Sequence, residues 1–384
     1  MTPVGRHLLD RGMKRQVSLV ALSGALLFLP PLLASEVRAQ SCENISGENE
    51  VSNDEVTGCL KPVVNYRSLI NVSDIVRRVV AGELVGQGET EPEPAGLLLE
   101  KPEDVAARLA GGDIAVEPTA DVVTTPAAQR KWNAWIDGKY TWIEGSNDLD
   151  GSKGPLINAM AGIDYRLSDR VVLGLIGTYE DSRLKTQGIL PIKQTTEGFG
   201  GGAYTGITVT PNIVFSGIAL YSGIETEVDY SGFGSGKTDS DRVQLSSAFT
   251  GYWYFGTTRL SPSVTLAWSK EWQDEYTNNI NPAQTFETGV LTGGTVLGHT
   301  FALSGATSVE PWAGAFLDYT FLNETHTDGL GTDSIDEQAD LRLQLGLNLN
   351  LASNVQLVLT GETAGLIVDE TDSYAGEANL AIQF

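Results

Sequence analysis

Cysteine, histidine and methionine are scarce in this chain of 384 residues, with two, three and three copies. Beyond residue 40 the histidines are His299 and His326, and neither has a nucleophile and an orienting acid at a spacing that would assemble a catalytic group. The stretch SNDLDG (146–151) begins like a calcium loop, but its first ligand position is Ser146 and its twelfth is Ile157, where that loop needs a carboxylate. The residues therefore offer no catalytic site, no metal site and no cofactor site, and they predict a protein that is not an enzyme.

Positive charge is also in deficit. Lys and Arg number 25 against 49 Asp and Glu, a net charge of −24. A chain that binds nucleic acid by tracking phosphates needs the opposite balance, so nucleic acid is excluded as a partner. Long apolar runs are missing after residue 33, so no later segment approaches the roughly 18 apolar residues of a membrane helix. If the chain crosses a membrane, it crosses as strands.

The one long apolar run is at the start. Residues 1–39 have Lys14 and Arg15, then an apolar stretch from Val17 to Leu33 broken by Pro30 and Pro31, then Val37-Arg38-Ala39. This is the pattern of a secretory leader handled by Sec export machinery and cleaved between Ala39 and Gln40. Cys42 and Cys59 follow closely, a spacing suited to a local disulfide in an oxidising compartment. Two unpaired thiols are the alternative.

Residues 40–130 form a short acidic region. GQGETEPEPAG (86–96) and EPTADVVTTPA (117–127) read as linkers. Two short helices are expected, one over Leu69 to Leu84 and one beginning at Pro102.

Residues 131–384 behave differently. DLRLQLGLNLNL (340–351) places leucine at every second position, so one face of a strand is apolar and the other polar. A tilted membrane strand needs about 9 to 11 residues, and this run supplies them. The same alternation begins at Trp132 and recurs near 155–167, 171–180, 197–209, 213–230, 242–255, 258–272, 284–301, 308–322, 339–351, 355–367 and 374–384. Short turns such as SDR (168–170), TPN (210–212) and ASN (352–354) alternate with long polar loops such as 274–284 and 323–337. The fold class expected is all-β: a transmembrane antiparallel up-and-down barrel of about 12 strands, with both ends on the short-turn side. Trp132, Trp142, Tyr165, Tyr179, Trp253, Trp268, Tyr319 and Tyr374 lie near strand ends, where interfacial girdles form. The polar alternates that would face the lumen are Asn133, Asp137, Lys139, Asp164, Arg166, Glu180, Asp340, Arg342, Glu362 and Glu377. Gly198, Gly200, Gly202 and Gly206 share that inner face, which leaves space for a segment against the wall or marks strand curvature.

The closing YAGEANLAIQF puts Tyr374, Leu380, Ile382 and Phe384 on one face and ends on an aromatic. This resembles the C-terminal signal read by the barrel assembly machinery of outer membranes. Together with WNAWIDGKYTW, GIDYRLSDRVVLGLIGTYE and VEPWAGAFLDYTF, it makes residues 132–384 similar to the autotransporter translocator domain. The resemblance implies a monomeric twelve-stranded barrel in the Gram-negative outer membrane, among lipid and lipopolysaccharide. It also implies an N-terminal segment threading the lumen and a passenger at the cell surface. The repeat-rich passenger usual in that family is absent between Gln40 and Arg130. The expectation is therefore a barrel that anchors and translocates a short displayed region. The alternative is a porin-like channel or surface adhesin whose N-terminal region plugs the lumen.

Overall fold

Period-two alternation is what a closed sheet with a polar interior requires, and the chain builds one. The computed structural model describes residues 53–85, 130–145, 152–186, 192–230, 234–277, 282–304, 307–329, 331–334, 338–367 and 371–384. Among these residues twelve strands follow one helix. They are β1 (Trp132–Gly145), β2 (Ser152–Ser168), β3 (Val171–Thr186), β4 (Ile192–Thr210), β5 (Ile213–Tyr230) and β6 (Gly234–Gly251). Then come β7 (Thr258–Gln273), β8 (Gln284–His299), β9 (Thr307–Thr327), β10 (Gln338–Ala352), β11 (Val355–Ala364) and β12 (Thr371–Gln383). Three short pieces, Trp253–Phe255, Phe301–Ser304 and Gly331–Ser334, keep the register of β6, β8 and β10 beyond a bulge or break.

Every strand pairs antiparallel with its neighbours in sequence. The cylinder closes where β1 meets β12, from Asn133 opposite Gln383 to Gly145 opposite Thr371. One further rung, Phe384 N–H to Trp132 O at 2.8 Å and Trp132 N–H to Phe384 O at 3.1 Å, ties the two ends together. Closure leaves no free edge, which a sheet surrounded by lipid cannot afford.

The faces segregate as the alternation dictates. Ile136, Leu175, Phe199, Leu245, Val264, Leu297 and Leu345 are exposed on the outside. Outward-facing aromatic side chains gather towards both ends of the strands. At the short-turn end Trp132 packs on Tyr165 and Phe215 on Phe249 at 4.8 and 5.2 Å between ring centroids. At the loop end Tyr179 packs on Phe199 at 4.9 Å, and Trp142 stands opposite Tyr374. Tyr374, Ile382 and Phe384 of the closing segment all face outward.

On the loop side several strands run further than their sequence pattern implied. β6 begins at Gly234 rather than near 242, β4 at Ile192 rather than 197, and β9 continues to Thr327. Polar residues mask these extensions in the sequence. Backbone pairing continues beyond the apolar band because β-ladders need no apolar side chain to persist.

Among the described residues the N-terminal region contributes one α-helix, α1 (Asn53–Val85), of 33 residues. The sequence pattern gave only its second half. The site of the helix expected from Pro102, the leader with Ala39 and Gln40, and the side chains of Cys42 and Cys59 lie outside the described residues. No helix among the described residues is long and apolar enough to cross a membrane, and α1 lies inside the barrel.

Leu345 is mid-strand on the outer face and Leu351 is beside the Ser353–Asn354 turn. Arginine at Leu345 is expected to cost about 2 to 4 kcal/mol and at Leu351 about 0 to 1. Denaturant unfolding of both variants in lipid vesicles checks this, and equal costs would contradict the depth assigned to β10.

Candidate functional site

A closed barrel of this size has an interior that must be filled by something, and here α1 fills it. From Val64 to Val80 nearly every side chain of α1 is buried, polar and apolar alike. A helix buried all round has no solvent face, so each face must match whatever wall it meets.

The matching follows the geometry of a helix with 100° between residues. Val72, Ile75, Val76, Val79 and Val80 share one stripe. They pack with Ile176 of β3, Tyr204 of β4, and Val214, Ile218 and Leu220 of β5. Leu69 and Ile70 turn towards Ala267 of β7 and Val290 of β8. Arg67, Asp74 and Arg78 lie opposite the valine stripe and meet β10, β11 and β12. Going round the helix, partners are met in the order in which the strands go round the barrel.

Direction is equally clear. Val64 packs with Ile143, Leu156 and Leu184, all near the long-loop ends of their strands. Arg77 Nη1 donates to Ser263 Oγ at 3.3 Å, near the short-turn end of β7. The N-terminal end of α1 therefore points to the long loops and its C-terminal end to the short turns.

The strongest contacts form a hub around Arg342 of β10, which is fully buried. Its Nη1 reaches Asp74 Oδ2 at 2.5 Å and Glu362 Oε2 at 3.1 Å, and its Nε reaches Asp318 Oδ2 at 2.9 Å. Gln344 Nε2 donates to Glu362 at 2.7 Å and to Asp74 at 3.3 Å. Lys139 Nζ holds the other oxygen of Glu362 at 3.0 Å, and Thr292 Oγ1 donates to Asp318 at 2.7 Å. Arg77 pairs with Asp74 at 3.3 Å. The guanidinium groups of Arg77 and Arg342 both lie over the Phe316 ring, 5.3 and 4.8 Å from its centroid. Three carboxylates and three cations thus balance in a space shielded from water, which is what buried charge requires.

A second, smaller network ties the upper half of α1 to the other side. Asn71 Nδ2 donates to Asn158 Oδ1 at 2.7 Å, and Asn158 Nδ2 to Glu180 at 3.4 Å. Arg242 bridges Glu180 at 3.1 Å and Asn65 at 2.8 Å. Beside it Ser68, Val72, Gly198, Glu180, Arg242 and Gln244 surround a small polar cavity with room for about one water.

Of the residues singled out in the sequence, Asn133, Asp137, Lys139, Asp164, Arg166, Glu180, Asp340, Arg342 and Glu377 are buried on the inner wall, and Glu362 joins the Arg342 hub. Asn133 and Asp164 bond each other at 3.0 Å, and Tyr204 Oη donates to Asp164 at 2.6 Å. They stand apart from the hub. The glycine stripe of β4 faces α1, yet a Cβ on Gly200 or Gly202 would first collide with strand neighbours Ser222 or Ala219. Space against the wall and crowding within it both apply there. Elsewhere glycine lets aromatic rings lie along the wall: a Cβ on Gly174 would strike the Tyr204 ring, and one on Gly294 the Phe316 ring. Flat rings keep the lumen wide enough for a helix.

The residues that sequence reasoning missed are those of α1 itself, Arg67, Asn71, Asp74, Arg77 and Arg78. Their signal was present: VSDIVRRVV carries charge on one helical face and valine on the other. Among the described residues no cluster of His, Cys, Asp or Glu has the arrangement of a metal site.

Comparison with known proteins agrees with this geometry. The family model "Autotransporter beta-domain" matches residues 134–362. Similar solved structures include the translocator domain of NalP from Neisseria meningitidis, 12% identical with a TM-score of 0.52, covering 73% of this chain and 96% of that one. The transport unit of AIDA-I from Escherichia coli is 11% identical with a TM-score of 0.57, covering 69% and 94%. The beta domain of the Bordetella autotransporter Brka is 14% identical with a TM-score of 0.53, covering 66% and 100%. A search of curated proteins finds no match.

Arg342→Ala would leave Asp74, Asp318 and Glu362 crowded together without their shared cation, at an expected cost of about 3 to 5 kcal/mol. The same change combined with Asp74→Ala is expected to cost less than the sum of the two. A double-mutant cycle on denaturant midpoints reads the coupling, and strict additivity would refute the contact.

Proposed function

The chain belongs to the autotransporter beta-domain family, and from that membership we propose that the barrel holds its own N-terminal region across the outer membrane, with α1 as the segment stopped in the lumen. Members are Gram-negative outer-membrane barrels of secretion and transport, so the protein is an outer-membrane protein of that class. The observation that carries the proposal is α1 inside the barrel with Asn53 towards the long loops.

Long loops face the cell exterior and short turns the periplasm in barrels of this kind. On that orientation residues 40–52 emerge at the cell surface, and the acidic stretch 86–129 joins the periplasmic end of α1 to the periplasmic start of β1. This departs from display of the whole 40–130 region, because the luminal helix lies in the middle of that region and divides it. On this proposal the small exposed piece is the passenger and α1 is the plug. A freely conducting porin fits less well, since α1 occupies the axis of the lumen.

The remaining assignments complete the proposal. Sec machinery exports the chain by residues 1–39, and cleavage falls between Ala39 and Gln40. The assembly machinery engages the outward face of Tyr374, Leu380, Ile382 and Phe384. Cys42 and Cys59 form a local disulfide. The barrel works as a monomer among lipid and lipopolysaccharide and carries out no catalysis.

Protease added to intact cells is expected to leave the linker from Glu89 to Pro94 uncut until the outer membrane is opened. An epitope inserted after Gly47 is expected to be stained on intact cells. Cleavage of the linker from outside, or an epitope reached only after permeabilisation, would overturn the proposed path of the chain.

A further inference from the structure

The lumen has two unlike walls. β3 to β5 present Ile176, Val214, Ile218, Leu220 and glycines to α1. From β9 round to β1 the wall presents Asp318, Asp340, Glu362, Glu377 and Asp137, with Arg342 and Lys139 as its own cations. Carboxylates outnumber cations on this wall, and the helix offsets part of the difference with Arg67, Arg77 and Arg78 against its own Asp74. Arg67 sits 3.7 Å from Asp340, Arg78 pairs with Glu377 and bonds Thr360 Oγ1 at 3.0 Å, and Arg77 lies over Phe316. Asp137 is buried beside Glu377 and adds a further carboxylate to the surroundings of Arg78. The wall thus holds seated guanidinium groups and carries carboxylates in excess of its own cations.

We propose that this wall is a cation track: a binding surface for guanidinium and other monovalent cations, along which the pore vacated by α1 conducts cations in preference to anions. The inference rests on the reading of α1 as a displaceable plug. An α-helix with its side chains is about 10 to 12 Å across, so the space it leaves admits hydrated ions. Selection there comes from the field of the wall rather than from stripping water. A lumen lined by low-dielectric protein focuses that field, and one-sided carboxylates select cations as acidic rings do in channels. The facing wall offers little to cancel it, because Arg242 is already matched by Glu180.

The experiment uses the full chain in planar bilayers under a potassium chloride gradient. Asp74→Arg sets a third arginine beside Arg77 and Arg342, so it dislodges α1 while the barrel remains. Retained heat-modifiable gel migration verifies the barrel. Openings more frequent than in the parent are expected, with potassium favoured severalfold over chloride. Added guanidinium chloride should reduce the current. Adding Asp340→Asn and Glu377→Gln to the same variant should leave the openings in place, bring the permeability ratio close to one and abolish the guanidinium block. Openings that show no ion preference, or a preference unmoved by the two neutralisations, would overturn the track and leave the plug standing. A folded Asp74→Arg barrel that never opens would overturn the plug as well as the track.

Discussion

Arg342 is where helix and barrel become one structure. A guanidinium with no access to water must have each of its donors met by an acceptor, and bare burial of such a charge is strongly unfavourable. Two of its partners, Asp318 and Glu362, belong to the neighbouring strands, and the third, Asp74, belongs to α1. The barrel alone would hold two carboxylates and Lys139 around this arginine in an open, hydrated pore. With α1 present Arg342 is shut off from solvent, and Asp74 completes the shell. The helix is therefore more than a hydrophobic filler. It brings the charge and the desolvation together, and neither is tolerable without the other.

This arrangement also selects one register. Sliding α1 by a turn moves it about 5.4 Å and brings either Arg78 or Ile70 to the place of Asp74. Arg78 there would confront Arg342 with like charge, and Ile70 would leave the guanidinium short of an acceptor. On the opposite side the valine stripe would slide along β3 to β5 with little penalty, because apolar contacts are not directional. The polar wall thus decides where the helix stops, and the apolar wall supplies adhesion that is nearly indifferent to position.

The barrel was largely legible in the sequence for a simple reason. Lipid on one side and a polar lumen on the other impose strict alternation, so Leu341 to Leu351 could be read residue by residue. Strand ends were less legible, since beyond the bilayer both faces are polar and pairing such as Lys237 opposite Glu227 leaves no apolar signature. The helix was legible only in part. A luminal helix lacks the water-facing stripe by which amphipathic helices are recognised, and Pro62 interrupts the pattern near its start. What no local pattern could supply is the pairing of Asp74 with Arg342, 268 positions away in the chain. Arg342 looked like one more inward polar residue until its partner was placed beside it.

The separation of α1 from β1 has a physical consequence of its own. A plug joined directly to the first strand would be fixed in height by the covalent chain. Here 44 residues, 86–129, intervene, a length that by itself sets no height for α1 in the lumen. The position of the helix must then be specified by side chains, and the network around Arg342 is the specification. That accounts for the density of buried charge in this lumen, where a tethered helix would need only volume and apolar contact. The same logic distinguishes the two ends of the helix. Val64 is held by aliphatic packing alone among Ile143, Leu156 and Leu184, while Asp74, Arg77 and Arg78 are locked by ion pairs. Ion pairs are densest past the middle of the barrel, around Asp74, while towards the long loops the helix is held by Val64 packing, the Arg242–Asn65 hydrogen bond and the Arg67–Asp340 pair.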